Sequence, residues 1–390
     1  MAFVFTLILY LVMYFYTTPD TWKSIPFSNI YLAGAVSSFI AAVVANGTML
    51  TPLQKSEKNF TPRIATAIRK SVSWQLANML IFIYPLFSIT SITGFGLSPT
   101  TTFFIWFIIT GFTIDCYLHL YHTLQATLDP FNGLHFLSQQ AHKHASSIDS
   151  IPFCQWIEAL SDSGLKAISQ YNVSVCSGSI REIESSLSTY LKNHSPIAGT
   201  LDEETSKQLN YTVLFTLQHL NQLGRQALNC DLEVVTTQLV LSLGKMIYSV
   251  TKYFPSLSTL PIELLGKVTV EAEENGFDDT AIKAELTLVQ TGIAILEDDP
   301  SMEMPVKDIF LNIISQLELI SNSIYNSDPS INLDLLTQTF HQIKDLFSKG
   351  KYSAHPDAGV IITAAENVIG TFDALEEIKR TMPKLSSEEK

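Results

Sequence analysis

One segment in the hydrophobic first third of the chain combines ionisable side chains with apolar neighbours. Within it Asp115, His119 and His122 are spaced i, i+4 and i+7, which predicts that they share one face of a helix. An ionisable group at membrane depth is costly, so this face is a candidate ion or proton path. Two other interpretations stay open. Asp115 pairs with a cation such as Arg69 or Lys70 while the histidines mark the membrane interface, or the face binds a metal.

Three more histidines follow this segment. His135, His142 and His144, with the two above, make five of the nine histidines of the chain. The HxH spacing is a weak metal signal, and no cysteine lies near that pair. The four cysteines form no CxxC pair, so neither a zinc site nor a disulfide framework is predicted, and a reducing compartment fits best. We interpret these histidines as part of a soluble connection, and we predict no metal or cofactor.

The acidic groups later in the chain resemble a cation-binding patch only in composition. They lack the regular alternation and closing glutamate of an EF-hand loop, so we expect solvated faces at residues 271–274, 278–279 and 297–299. The sequence contains no phosphate-binding glycine loop, no GxSxG, no HExxH and no Cys/His nucleophile signature. The sequence therefore favours a protein that is not an enzyme.

Charge divides the chain into two different parts. Residues 1–129 contain six Lys/Arg and four Asp/Glu, whereas residues 130–390 contain 18 and 33. The two parts carry formal charges of +2 and −15. A strongly acidic domain is repelled by phosphate backbones, so nucleic acid is excluded as a partner. We predict a membrane domain over 1–129, an acidic helical domain over 130–382 and a flexible tail over 383–390.

The first part contains hydrophobic runs of nearly the length that crosses a bilayer as a helix, about 20 residues. The first run has no basic leading region and no small-residue cleavage site, so it reads as a retained anchor; an interfacial or re-entrant helix is the alternative. About four transmembrane helices are predicted, at Ala2–Tyr16, Ile30–Ala45, Leu76–Ile92 and Thr102–Tyr121.

Basic residues between the second and third runs predict the orientation. By the positive-inside rule this connection is cytosolic, and four crossings then leave both termini in the cytoplasm. Thr61-Pro62 is typical of a helix start, so the third helix is expected to begin near Pro62 as a cytosolic stalk. The fourth helix is expected to end at Asp129-Pro130. The predicted stalk residues are Pro62, Arg63, Arg69 and Lys70.

The second run offers a surface for close helix packing. Gly34, Ser38 and Ala42 recur at four-residue intervals, and small side chains let helices approach closely in lipid. The sequence leaves open whether this ridge forms an intramolecular contact or an oligomer seam.

The second part is predicted to be all α, because its apolar residues follow a helical period interrupted by prolines. Recurring glycines, one turn from larger residues, mark places where a neighbouring helix lies close: Gly164, Gly224, Gly244 and Gly292. Antiparallel helix pairs, stacked as in helical-repeat proteins, are expected, with a compact bundle as the alternative. The units are Ile151–Asn193, Leu209–Phe254, Pro261–Leu296, Pro305–Lys349 and Pro356–Met382.

The stretch Gln54-Lys-Ser-Glu-Lys-Asn-Phe-Thr-Pro-Arg63 resembles an uncharacterised bacterial family of predicted membrane proteins with an N-terminal four-helix membrane region. In that family a Gln-x-x-Ser-x-x-Phe-Ser-Pro-Arg motif leads into the third membrane helix. Tyr117-Leu-His-Leu-Tyr-His122-Thr-Leu-Gln125 resembles the aromatic, histidine and glutamine pattern at the end of its fourth. The resemblance covers residues 30–130 and implies the same topology, in a bacterial inner membrane. It singles out Pro62, Arg63, His119, His122 and Gln125 and implies no activity.

Two functions remain from the sequence. The first is a membrane-anchored helical scaffold whose acidic domain binds an unidentified protein or further copies of itself. The second is an oligomeric ion channel or transporter whose fourth helix and Asp115 line the pathway.

Overall fold

The computed structural model describes residues 29–32, 34–36, 72–93, 98–147, 149–195, 203–298, 306–349 and 351–381. Every regular element in these ranges is a helix, which confirms the all-α prediction. The chain divides into two compact units, Met1–Phe136 and Leu137–Lys390. The predicted crossing at Ala2–Tyr16, most of the second, and the tail lie outside the described residues.

The long helices alternate with short connections. The first three are α1 (Val72–Thr93), α2 (Pro99–Leu128) and α3 (Pro130–His144). The others are α4 (Ser150–Ser169), α5 (Val173–Asn193), α6 (Glu203–Asn229), α7 (Glu233–Tyr253), α8 (Thr259–Glu274), α9 (Asp278–Asp298), α10 (Lys307–Ser327), α11 (Leu333–Ser348) and α12 (Ala358–Thr381).

In the first unit, α1 and α2 form an antiparallel pair. Trp106 on α2 contacts Ser88 on α1, and Thr110, four residues later on α2, contacts Tyr84, four residues earlier on α1. Ser98 caps the start of α2 by accepting a hydrogen bond from the Thr101 backbone N–H at 3.2 Å. Pro99 lies in the first turn, where a backbone N–H would have no acceptor within the helix, so its missing N–H costs no hydrogen bond. The helix ends at Leu128, confirming the predicted stop at Asp129-Pro130.

The second unit is a stack of helix hairpins. Helices α4 and α5 form the first, α6 and α7 the second, α8 and α9 the third, and α10 and α11 the fourth. Within the described residues, α4, α6, α8 and α10 pack successively in one layer, and α5, α7 and α9 pack successively in the other. Helix α12 packs against α11 and α10. The apolar faces of both layers meet between them and form the core.

Helices within a layer run parallel, because each hairpin returns the chain to the same side. Along α7 and α9, Thr237 contacts Thr280 near both N-termini, and Tyr248 contacts Asp298 near both C-termini. Successive hairpins are therefore related by translation along the stack rather than by reversal.

The first three hairpins share one turn geometry. In the first, the Asn172 N–H reaches the Ala167 carbonyl at 2.8 Å, and the Tyr171 N–H reaches the Ile168 carbonyl at 2.9 Å. This is a Schellman turn, which requires positive φ at its penultimate residue. That residue is Tyr171 (φ 55°) in the first turn, Asp231 (54°) in the second and Gly276 (80°) in the third. The backbone geometry is kept although the residue type changes.

Four of the five predicted helix pairs are observed, and the fifth prediction is wrong. Residues 358–381 form the single helix α12, preceded by a short 3-10 turn over Lys351–Ala354. A single helix suffices because α12 covers α10 and α11 at the end of the stack. The predicted close contacts at glycines are confirmed: a Cβ at Gly244 would lie 2.2 Å from Thr287 Cγ2, and one at Gly164 2.8 Å from Leu223 Cδ2.

Three described helices are long and apolar enough to cross a membrane: Thr101–His122 within α2, Glu233–Tyr253, and Ala358–Lys379 within α12. The first coincides with the predicted fourth crossing. The second was not expected as a span, and 61% of its apolar window is buried inside the protein. The third has only 33% of its window buried.

Candidate functional site

Hydrogen bonds between side chains join α1 and α2. The Trp106 indole N–H donates to the Ser88 hydroxyl at 2.8 Å, and the Thr110 hydroxyl lies 2.8 Å from the phenol oxygen of Tyr84. Ser88 is fully buried, and its hydroxyl donates in turn to the Tyr84 carbonyl at 2.9 Å. These bonds satisfy the polar groups that the two helices enclose.

The outer surface of the same two helices is apolar. Leu86 on α1 is 62% exposed, and Phe112 on α2 is 50% exposed. The other exposed large apolar side chains of the two helices are Leu76, Met79, Ile83, Ile89, Ile114, Leu118 and Tyr121. Helix α1 has no charged residue, and α2 has only Asp115 apart from its histidines. Large apolar side chains therefore make up much of the exposed surface of this helix pair, which also carries exposed polar side chains such as Gln75 and Thr90.

The predicted ionisable face lies on α2. Asp115 is half-buried, whereas His119 and His122 are exposed, and all three fall within the candidate span Thr101–His122. Gln125 lies in the same helix, three residues beyond His122, and its side chain is outside the described residues. The face brings one carboxyl and two imidazoles together along the helix, as helical spacing requires.

Other predicted positions lie mostly outside the described residues. Pro62, Arg63, Arg69 and Lys70 are outside them, as are Ser38 and Ala42 of the packing ridge. The ridge residue Gly34 is described, and a Cβ there would lie 2.4 Å from the Trp106 ring. A larger residue at this position would displace the indole at the centre of an aromatic cluster formed by Tyr31, Tyr84, Phe103 and Trp106.

The later histidines lie on a helix. His135, His142 and His144 belong to α3, where His135 is exposed and the other two are half-buried. In the described part of the chain, no group of three or more histidine, cysteine or acidic residues is arranged to hold a metal ion.

A second candidate site lies in the second unit, and sequence reasoning missed it. A cavity of about 520 Å³ opens between the third and fourth hairpins. Two buried carboxylates line it from different helices: Glu273 on α8, 5% exposed, and Glu285 on α9, 6% exposed. Six apolar side chains also line it: Ile282, Leu286, Ile324, Ile331, Leu335 and Leu336.

Serines of α10 hold both carboxylates. Ser323 and Ser327 donate to Glu273 Oε2 at 2.7 and 3.0 Å, and Ser321 donates to Glu285 Oε1 at 2.9 Å. No lysine, arginine or histidine of the described ranges pairs with either one. The expectation of a wholly solvated face at residues 271–274 is therefore wrong for Glu273, which lies on the inward side of α8 and is stabilised by these hydroxyl donors.

Burial governs the chemistry of Glu285. Its removal from water raises the pKa of this carboxyl to about 7, and the Ser321 hydrogen bond opposes part of that shift. Near neutral pH the side chain exchanges a proton readily, and a cation entering the cavity would favour the ionised form. Only a weak sequence signal indicates that this carboxyl is buried. Glu285 lies four residues after Ala281 and three before Leu288, which places it on the apolar stripe of α9.

Fold and site together define an all-helical protein: a charge-poor helix pair with an apolar exterior, and a stack of hairpins containing an acidic cavity. Comparison with protein-family models, with curated proteins and with solved structures gives no match to this chain. The resemblance to a bacterial membrane family over residues 30–130 stays a prediction.

Proposed function

We propose that the protein is a membrane-anchored helical scaffold. The first unit holds it in the bilayer through α1, α2 and the preceding hydrophobic runs, and the second unit binds a protein partner, or further copies of the chain, in water. One observation carries the proposal: α1 and α2 expose Leu86, Phe112 and seven other large apolar side chains and, apart from histidines, contain one charged residue, Asp115, whereas residues 130–390 carry a formal charge of −15.

The exterior of α1 and α2 favours lipid as its surroundings. Soluble proteins rarely expose a large continuous apolar patch. Removing apolar surface from water gains about 25 cal/mol for each Å². In a bilayer the same residues lose nothing, whereas hydroxyl and indole groups need partners within the protein. The Ser88–Trp106 and Tyr84–Thr110 contacts meet that need.

The two helices of the second unit that are apolar enough to span a membrane, α7 and α12, are compatible with a unit that lies in water. Helix α7 is apolar because it packs against α5, α8 and α9. Helix α12 exposes Glu366, Asp373 and Glu377 on its outer face, where a lipid environment would be costly. Both helices are accounted for by the hairpin stack, so the membrane anchor need involve only the first unit.

Stacked hairpins are suited to binding a protein. Each hairpin contacts only its neighbours, which leaves an extended surface for a partner. The excess of acidic over basic residues in this part of the chain favours a basic partner surface.

Extraction of membranes tests the anchor. Full-length protein in membrane vesicles washed with alkaline carbonate is expected to stay entirely in the pellet, like an integral membrane protein. Release of the polypeptide into the wash would overturn the proposal, because a peripheral protein is removed by this treatment.

A channel is the second candidate, favoured by the half-buried Asp115, the single carboxyl of α2 within a candidate span. Ion flux through purified full-length protein in liposomes separates the two functions. A scaffold gives no flux above protein-free liposomes. Flux that Asp115→Asn and His119→Ala both reduce would instead establish the channel.

A further inference from the structure

We propose that the cavity between α8, α9, α10 and α11 binds a lysine or arginine side chain presented by an apolar segment of a partner protein. The inference rests on the proposed scaffold function and specifies the chemistry of its partner.

The charges of the cavity select a cation. Every titratable residue that lines it is acidic: Glu273, Asp278, Glu285 and Asp328. The two buried carboxylates each use one oxygen for serine hydroxyls, and the other oxygen accepts no hydrogen bond from the described residues. An ammonium or guanidinium group that enters the cavity can donate charge-assisted hydrogen bonds to these carboxylates.

One of the acidic residues that line the cavity, Asp328, already accepts hydrogen bonds from its own turn. The Ser330 N–H and hydroxyl both donate to Asp328 Oδ1, and these bonds hold the pKa of Asp328 below its usual range. The lysine that approaches this turn, Lys379, donates to the Pro329 carbonyl at 2.7 Å. Glu273, Asp278 and Glu285 are therefore the carboxylates available to an incoming cation.

The apolar rim of the cavity favours apolar residues on either side of the bound lysine or arginine. Ile282, Leu286 and Leu335 line the cavity and are also 53%, 44% and 58% exposed. Such side chains gain from contact with apolar residues on either side of the cation, and the methylene stem of lysine or arginine adds to that contact.

The size and polar lining of the cavity fit a short peptide segment. Ligand sites in proteins span roughly 300–1,000 Å³, and about 520 Å³ exceeds the volume of one side chain. Gln338 and Gln342 on α11 line the opposite wall and can pair with the backbone of a bound segment. Thr339 beside them is 4% exposed, and its hydroxyl has no hydrogen-bond partner among the described residues.

The test measures binding of a fluorescent Leu-Lys-Leu peptide to full-length protein in nanodiscs by fluorescence anisotropy. A Leu-norleucine-Leu peptide keeps the stem and removes the charge. We expect binding of the lysine peptide to be at least about tenfold tighter, which corresponds to about 1.4 kcal/mol. We expect Glu285→Gln to abolish most of that difference while leaving the Ser321 contact possible.

Two further variants make the result decisive. Glu204→Gln removes the same charge from an exposed site on α6, outside the cavity, and should leave affinity unchanged. Leu335→Ser alters the exposed rim with little risk to folding and should weaken both peptides severalfold. Equal losses in Glu204→Gln and Glu285→Gln would overturn the inference, because they indicate general attraction to an acidic protein. Failure of the lysine peptide to bind would also overturn the inference. The membrane anchor is tested separately, because release of the protein by carbonate would reject it whatever the peptide does.

Discussion

The two units of this chain differ in how much of their long apolar helices they bury. In the first, the fully buried Ser88 hydroxyl faces inward between α1 and α2 while Leu86 is 62% exposed. In the second, Leu160, Leu220 and Leu243 are fully buried, and the acidic residues lie mainly outside. The contrast teaches that hydropathy alone does not identify a membrane helix: α2 and α7 are both apolar enough, but 61% of the apolar window of α7 is buried inside the protein, against 22% for α2.

The largest expected effect tests this contrast at two exposed leucines. Leu86→Arg on α1 should prevent stable membrane insertion, because arginine costs about 3 kcal/mol at the centre of a bilayer. Leu319→Arg on α10, at a leucine that is 51% exposed, should change stability by less than about 0.5 kcal/mol. The measurement is the fraction of folded full-length protein recovered from membranes. Equal recovery of the two variants would remove the distinction between the units.

The buried Glu285 predicts a pH dependence of the second unit. Its folded pKa of about 7 lies above the ordinary value, so the folded state keeps a proton that the unfolded state loses. Stability should therefore fall as pH rises from about 4.5 to about 7, and stay lower above that, by roughly 3 kcal/mol in total. Glu285→Gln should remove this fall.

Thermal unfolding of full-length protein at pH 5 and pH 8 measures the effect, with Glu204→Gln as the control. The gap in stability between Glu285→Gln and the parent should widen at pH 8 and nearly vanish at low pH. A gap that does not depend on pH would show that Glu285 titrates normally.

Close packing in the hairpin stack predicts opposite effects at two glycines. Gly244→Ala should destabilise by about 2 kcal/mol, because the new Cβ would lie 2.2 Å from Thr287 Cγ2. Gly370→Ala, at an exposed site in α12 where a Cβ meets nothing within 4 Å, should stabilise by about 0.5 kcal/mol through helix propensity. Chemical unfolding of both variants measures the difference. Matching changes would contradict the close approach of α7 and α9.

The smallest expected effect concerns the shared turn. Tyr171 adopts positive φ and is 69% exposed, so Tyr171→Gly should stabilise by about 1 kcal/mol at little cost in contacts. Gly276→Ala should destabilise by about 1 kcal/mol, because alanine disfavours the positive φ of this position. No atom lies within 4 Å of the new Cβ, so a steric clash does not contribute. Thermal unfolding of both variants gives the two signs. A stabilising Gly276→Ala would refute the turn geometry.

The helices of the second unit were predictable because period, proline and glycine signals agree. Gly244 sits on an apolar stripe, and the close contact with Thr287 follows from its position. The single helix α12 was not predictable, because the same periodicity fits one long helix or two short ones. The turn at Tyr171 was also missed, because tyrosine rarely adopts positive φ, and the turn at Asp231 was missed although aspartate adopts positive φ more often than most residues.

The acidic cavity was not predictable because it depends on helices distant in sequence. Glu273 meets Ser323 and Ser327, and Glu285 meets Ser321, only after α8, α9 and α10 have packed together. In the sequence Glu273 is one member of an acidic run, and such runs are usually solvated. The Asp115 face, by contrast, follows from spacing within one helix, which is why local reasoning reached it.

The opposite surroundings of the two units are tested most directly by thiol labelling. Leu86→Cys and Leu319→Cys are compared in full-length protein whose native cysteines are replaced by alanine, in intact vesicles exposed on both sides to a water-soluble maleimide. The account predicts rapid labelling at residue 319 and labelling at residue 86 only after denaturation in detergent, because a thiol in lipid does not ionise. Equal labelling rates at the two exposed positions in intact vesicles would contradict it.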